Sequence, residues 1–137
     1  MIKYKSGYKY QLAETYEITT DFGPFLPVVS SYSYITLTNK GVLIISKGYA
    51  WDGPSGPTID TKNFMRGSLV HDALYQLMRE ELLDSRLYRD KADKLLQQLC
   101  REDGMSRLRA WWVYLGVSKF ASFAAKASQR KQIIKAP

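Results

Sequence analysis

The stretch Trp51-Asp52-Gly53-Pro54-Ser55-Gly56-Pro57 divides this chain into two unlike halves. Ahead of it, side chains alternate with the two-residue period of strands. Behind it, apolar residues return at the three- and four-residue spacing of helices. Paired glycines and prolines end regular structure on both sides. Trp51 and the nearby Tyr49 give the segment bulk, so an ordered loop is expected here.

Residues 1–49 hold seven of the ten tyrosines, with many Val, Ile and Thr, a composition that suits strands. Tyr8 to Leu12 and Thr15 to Thr19 alternate. Asp21-Phe22-Gly23-Pro24 and Pro27 then break the pattern. Tyr32, Tyr34, Thr36 and Thr38 fall on one face of the next segment, and Ser31, Ser33, Ile35 and Leu37 on the other. Asn39-Lys40-Gly41 is a tight-turn signal before the apolar run Val42 to Ile45. The expectation is a hairpin of 31–38 with 42–47, with 42–45 a short buried strand; its tyrosine face is either a binding surface or, as is commoner, the pleated side that a helix covers.

In the back half, Asn63 can cap a helix to about Arg79 that turns Phe64, Met65, Leu69, Val70, Ala73, Leu74, Leu77 and Met78 inward. Asp84 or Ser85 can cap a second, to about Arg101, with Leu87, Tyr88, Ala92, Leu95, Leu96 and Leu99 inward. Gly104 suits the position after a helix end, and Ser106 caps a third helix to about Ser128. The expected fold is α+β. A small antiparallel tyrosine-rich sheet packs against about three helices in one domain over 1–128, with a basic tail over 129–137.

Bulk properties narrow the function. The chain has 137 residues, enough for a real core. Its single cysteine, Cys100, excludes a disulfide framework and a multi-cysteine zinc site, and is expected as a small apolar helix residue. The first residues carry no apolar signal segment, and no apolar run reaches membrane-spanning length. The charge is lopsided: all 13 acids lie before residue 107, where 13 basic residues balance them. Arg107, Arg109, Lys119, Lys126, Arg130, Lys131 and Lys135 follow with no acid, so the net +7 resides in residues 107–137. Such a field favours an anionic partner, either phospholipid or nucleic acid, or an acidic protein patch. A solvated helix face and a frayed tail kept soluble by charge is the alternative, and the slightly favoured one.

The chemistry-bearing residues converge on the loop and the segment Val70-His71-Asp72-Ala73-Leu74-Tyr75. On a helix, His71 and Tyr75 share a face, while Asp72 is turned by about 100°. His71 can then handle a proton while Asp72 holds a cation or a backbone amide. If the second helix runs antiparallel, Asp93 can reach the other nitrogen of His71, fix its tautomer and support an imidazolium. Asp52, Ser55 and Trp51 can close the site from the loop, Asp52 joining Asp72 as a metal contact or the loop amides cradling an anion. A structural junction of the same residues is the alternative. No nucleophile elbow, phosphate loop or dinucleotide fingerprint is present, and one histidine excludes a zincin.

Two resemblances follow. Gly48-Tyr49-Ala50-Trp51-Asp52-Gly53-Pro54-Ser55-Gly56-Pro57, then His71-Asp72-Ala73-Leu74-Tyr75, Ala92-Asp93, Gly104 and Trp111-Trp112-Val113-Tyr114 resemble the phage and prophage family called domain of unknown function 1353, over about 35–117. The loop departs where Trp51 stands for Thr and Gly53-Pro54 for x-Ala. That resemblance implies a phage origin, hence host cytoplasm or virion rather than secretion, and no particular reaction. His71-Asp72-x-x-Tyr75 with Asp93 is also similar to the core of secreted phospholipases A2, though without their paired cysteines or calcium loop. By that resemblance His71 is the base, Asp72 the ligand of calcium or another divalent cation, and Asp93 and Tyr75 the support. The sequence therefore leads to two functions. One is a divalent-assisted hydrolase of an ester or phosphodiester. The other is a non-catalytic phage binding or virion-associated protein, contacting an anionic surface or a phage or host protein through its basic aromatic C-terminal helix.

Overall fold

The computed structural model describes residues 2–5, 10–51 and 62–119, the side chains of Tyr4 and Lys5 apart. Asp52, Ser55 and the rest of the expected Gly-Pro loop lie outside the described residues, as do positions 120–128 of the expected third helix and the expected tail over 129–137. Among the described residues seven strands precede the helices: β1 Tyr4–Lys5, β2 Tyr10–Leu12, β3 Tyr16–Thr19, β4 Val28–Val29, β5 Ile35–Leu37, β6 Val42–Ile45 and β7 Ala50–Trp51. Helices α1 Lys62–Arg79 and α2 Ser85–Glu102 follow, and α3 is described over 107–119. The class is α+β, with antiparallel strands in front and three helices behind.

The strands form two sheets rather than one. One has the order β3-β6-β5-β4 and the other β1-β2-β7, every pairing being antiparallel. In the larger sheet Ile35 lies opposite Ile45 and Leu37 opposite Leu43, and all four are fully buried. Val42 and Ile44 are only half buried, so β6 alternates instead of being buried on both faces.

The tyrosine face is the outer one, against the commoner expectation. Tyr32 is 93% and Tyr34 40% exposed, whereas Ile35 and Leu37 point into the core. Aliphatic side chains bury without leaving a polar atom unpaired; Tyr and Thr hydroxyls keep water by facing out. Residues 31–33 also leave the strand for a short 3-10 turn. Ser30 Oγ accepts from the Ile35 amide at 2.9 Å, and Glu80 accepts from both the amide and hydroxyl of Ser31 at 2.8 and 2.6 Å. The side chains of Ser30 and Glu80 thus give the Ile35 and Ser31 amides the partners that a strand ladder would otherwise supply.

The helix limits follow local chemistry. The Asp84 side chain caps α2 by accepting from the Arg86 amide at 2.9 Å. Gly104 takes φ +101°, the left-handed conformation that ends a helix. Ser106 Oγ accepts from the Arg109 amide at 3.2 Å as α3 begins. Asn63, by contrast, lies inside α1, which is already helical at Lys62. Leu87 is 66% exposed instead of inward. Ala92, fully buried five residues on, is about 140° round the helix from it.

The main core joins both sheets to α1 and α2, through residues such as Leu12, Phe22, Ile45, Leu69, Leu74 and Leu99. A second cluster of Phe64, Leu96, Cys100, Met105, Ala110 and Val113 seats α3. Cys100 is one of its apolar members, and burial pushes its thiol up to about 12. Each fully buried leucine contributes about 1.5–3 kcal/mol. Arg66 ties the halves together: it donates to Asp103 at 3.0 Å, Glu102 at 2.9 Å and the Tyr16 hydroxyl at 3.2 Å.

Candidate His-Asp site

Helices α1 and α2 run antiparallel, so that Arg66 meets Glu102 and, a turn and a half along, His71 meets Asp93. His71 Nε2 and Asp93 Oδ1 are 2.7 Å apart. The Tyr75 hydroxyl donates to the same oxygen at 2.6 Å. The Ser118 hydroxyl, from α3, donates to Asp93 Oδ2 at 3.2 Å. Three helices thus converge on one carboxylate that is 1% exposed. Such burial is tolerable because both oxygens are hydrogen-bonded.

Spacing explains the convergence. His71 and Tyr75 are one helical turn apart on α1, and their rings lie 4.1 Å apart, tilted by 32°. Asp93 sits beside Ala92, and both are buried. With a carboxylate as its partner, Nε2 is the protonated nitrogen and donates, which leaves the lone pair on Nδ1. Nδ1 is 3.9 Å from Asp72 Oδ1. That separation is beyond a hydrogen bond, so Asp72 acts on the ring through its charge.

The electrostatics favour a charged imidazole. Burial of His71 lowers its pKa, but Asp72 and Asp93 together more than offset it, and the net shift is upward from 6.5. Tyr75 is raised by burial first and by Asp93 second, so it stays a neutral donor. Among the described residues no group of three His, Cys, Asp or Glu side chains is placed to hold a metal. Asp72, whose side chain is 35% exposed, is the described carboxylate nearest the open nitrogen.

Of the residues singled out from sequence, His71, Tyr75 and Asp93 come into direct contact, and Asp72 stands beside them. Asp52 and Ser55 lie outside the described residues. Trp51 is buried and donates from its indole to Ser68 Oγ at 3.0 Å, so it ties the end of β7 to α1. Ser118 carries almost no sequence signal: it is a small hydroxyl residue on α3 next to the apolar Val117.

The fold and these contacts define an α+β protein with a buried His–Asp–Tyr cluster between two antiparallel helices. Residues 26–117 match the family model described as protein of unknown function (DUF1353), and the chain belongs to that family. The matched span takes in His71, Asp72, Tyr75 and Asp93. No curated protein and no solved structure gives a significant match.

Proposed function

We propose that this protein is a hydrolase of ester or phosphodiester bonds with His71 as general base. The observation that carries this is the 2.7 Å contact of His71 Nε2 with a buried Asp93, which leaves the basic nitrogen on the other side. Nδ1 takes a proton from water as the water oxygen bonds to the acyl carbon or phosphorus. The bond to the leaving oxygen then breaks, and the imidazolium returns the proton to that oxygen. Asp93 and Asp72 stabilise the imidazolium, and Tyr75 and Ser118 hold Asp93 in place.

A divalent cation, calcium in the first instance, would polarise the substrate's carbonyl or phosphoryl oxygen. Asp72 supplies one hard oxygen ligand of the type such a cation prefers, and Asp52 with the carbonyls of its loop would supply others. The similarity of His71-Asp72-x-x-Tyr75 and Asp93 to the phospholipase A2 core supports the role assignment as an analogy. The motif set from Gly48 to Tyr114 supports a phage or prophage origin.

The test is hydrolysis of chromogenic carboxylic and phosphate diesters in millimolar calcium, magnesium or zinc. His71→Ala is expected to lower the rate by roughly 10²- to 10⁴-fold, the usual worth of a positioned base. Full activity in His71→Ala would overturn the assignment.

A further inference from the structure

We infer that the solvent-facing side of α3 is a docking face for an anionic phospholipid surface. The inner side of α3 is fully engaged. Ala110 and Val113 are buried in the second cluster, Tyr114 donates to Asp90 at 2.6 Å, and Ser118 donates to Asp93 at 3.2 Å. The outer side is apolar as well. Leu108 is 66%, Trp112 63% and Trp111 47% exposed. Half-buried Leu115 extends the same stripe by one turn. The two indoles meet edge to face, their centroids 5.8 Å apart.

Scattered exposed apolar residues are ordinary, but a contiguous stripe of Trp and Leu on one helix face is not. Cations surround this stripe. Arg107, Arg109 and Lys119 lie on the same helix, and residues 107–137 contain no acid. Beside Trp111, Lys94, Arg101 and Arg107 help to line an open groove of about 550 Å³. An apolar centre with indoles and a cationic surround matches a helix lying in a lipid interface, its side chains among acyl chains and its cations among headgroup phosphates. A single-stranded nucleic-acid site would set its aromatic rings along a cationic groove that tracks the backbone, whereas here the indoles are continuous with the aliphatic Leu108 and Leu115, which offer bases no stacking face. No helix among the described residues is long and apolar enough to cross a membrane. This inference does not depend on His71 being catalytic.

The full-length chain should be mixed with vesicles of phosphatidylglycerol, vesicles of phosphatidylcholine, and a single-stranded oligonucleotide. The expected result is co-sedimentation with phosphatidylglycerol vesicles and a blue shift of tryptophan emission. Trp51 is already buried, so the shift reports Trp111 and Trp112. Trp112→Gln and Leu108→Asn, both at exposed positions, should keep the wild-type melting temperature and weaken vesicle partition by roughly tenfold each. His71→Ala should partition as wild type does, which separates this test from the hydrolase assay. Three results would overturn the inference: binding to the oligonucleotide with no vesicle partition, a dimer in solution that hides both indoles, or unchanged partition in the two variants.

Discussion

His71 gains a charge more readily than a free imidazole because two carboxylates face it from different sides, and that has two measurable consequences. Its pKa is above 6.5 in the folded chain. The stabilisation from the charged ring is therefore complete below the unfolded value and is lost as pH rises through the higher folded value. The difference in unfolding free energy between wild type and His71→Asn should shrink as pH rises past 6.5. Catalysis needs the neutral ring, so activity should rise with pH over the same limb. Asp93→Asn should move that limb to lower pH and cost on the order of 3 kcal/mol of stability, since it breaks a buried pair. A pH–rate profile and denaturant curves of the variant check both. At this scale the sequence was informative where spacing alone decides geometry. His71 and Tyr75 share a helix face by period, and antiparallel packing of two adjacent helices brings Asp93 across. Ser118 was hidden because its contact depends on the rotation of α3, which a single serine among apolar neighbours does not specify.

Turns and ties decide the elements. Gly41 closes the β5–β6 hairpin at φ +89°, and a Cβ there would come within 2.3 Å of the Thr20 carbonyl oxygen and 2.8 Å of that of Phe22. Both obstacles are backbone, so Gly41→Ala should cost roughly 3 kcal/mol, read from chemical denaturation. Arg66 holds α1 to the residues that end α2 and to β3. Arg66→Met, which keeps the packing and removes the donors, should cost about 1–2 kcal/mol after solvent screening of its partly exposed partners. Caps and breakers were readable: Asp84, Gly104 and Asn39-Lys40-Gly41 mark ends through their own side chains or backbone freedom. The outward face of β5 was not. Alternation gives two faces but does not say which is buried, and the lack of polar atoms on Ile35 and Leu37 settled it. Residues 31–33 carry a strand pattern yet form a turn, because the partner that bends them, Glu80, lies 49 residues away.

Across the whole molecule, a sheet-rich front and a helical back meet along α1, and charge is segregated toward the C-terminal end. The composition shift at Trp51 carried the α+β class. The division into two sheets was not legible, because β2 pairs with β7 through contacts such as Gln11 with Ala50 that follow no local pattern. If Asp72 takes part in divalent-cation binding, folding and metal are linked, and millimolar calcium should raise the melting temperature of wild type but not of Asp72→Asn. A metal bound there would also place positive charge near Nδ1 of His71 and lower its pKa.

Because the chain has one histidine, a single NMR titration of the imidazole resonances tests the site without ambiguity of assignment. The midpoint is expected above 6.5 in metal-free buffer, is expected to fall when calcium is added, and should show no calcium response in Asp72→Asn. A midpoint at or below 6.5, or one that calcium does not move in wild type, would contradict a metal-assisted His71 base and leave the His71–Asp93 pair as a junction between helices.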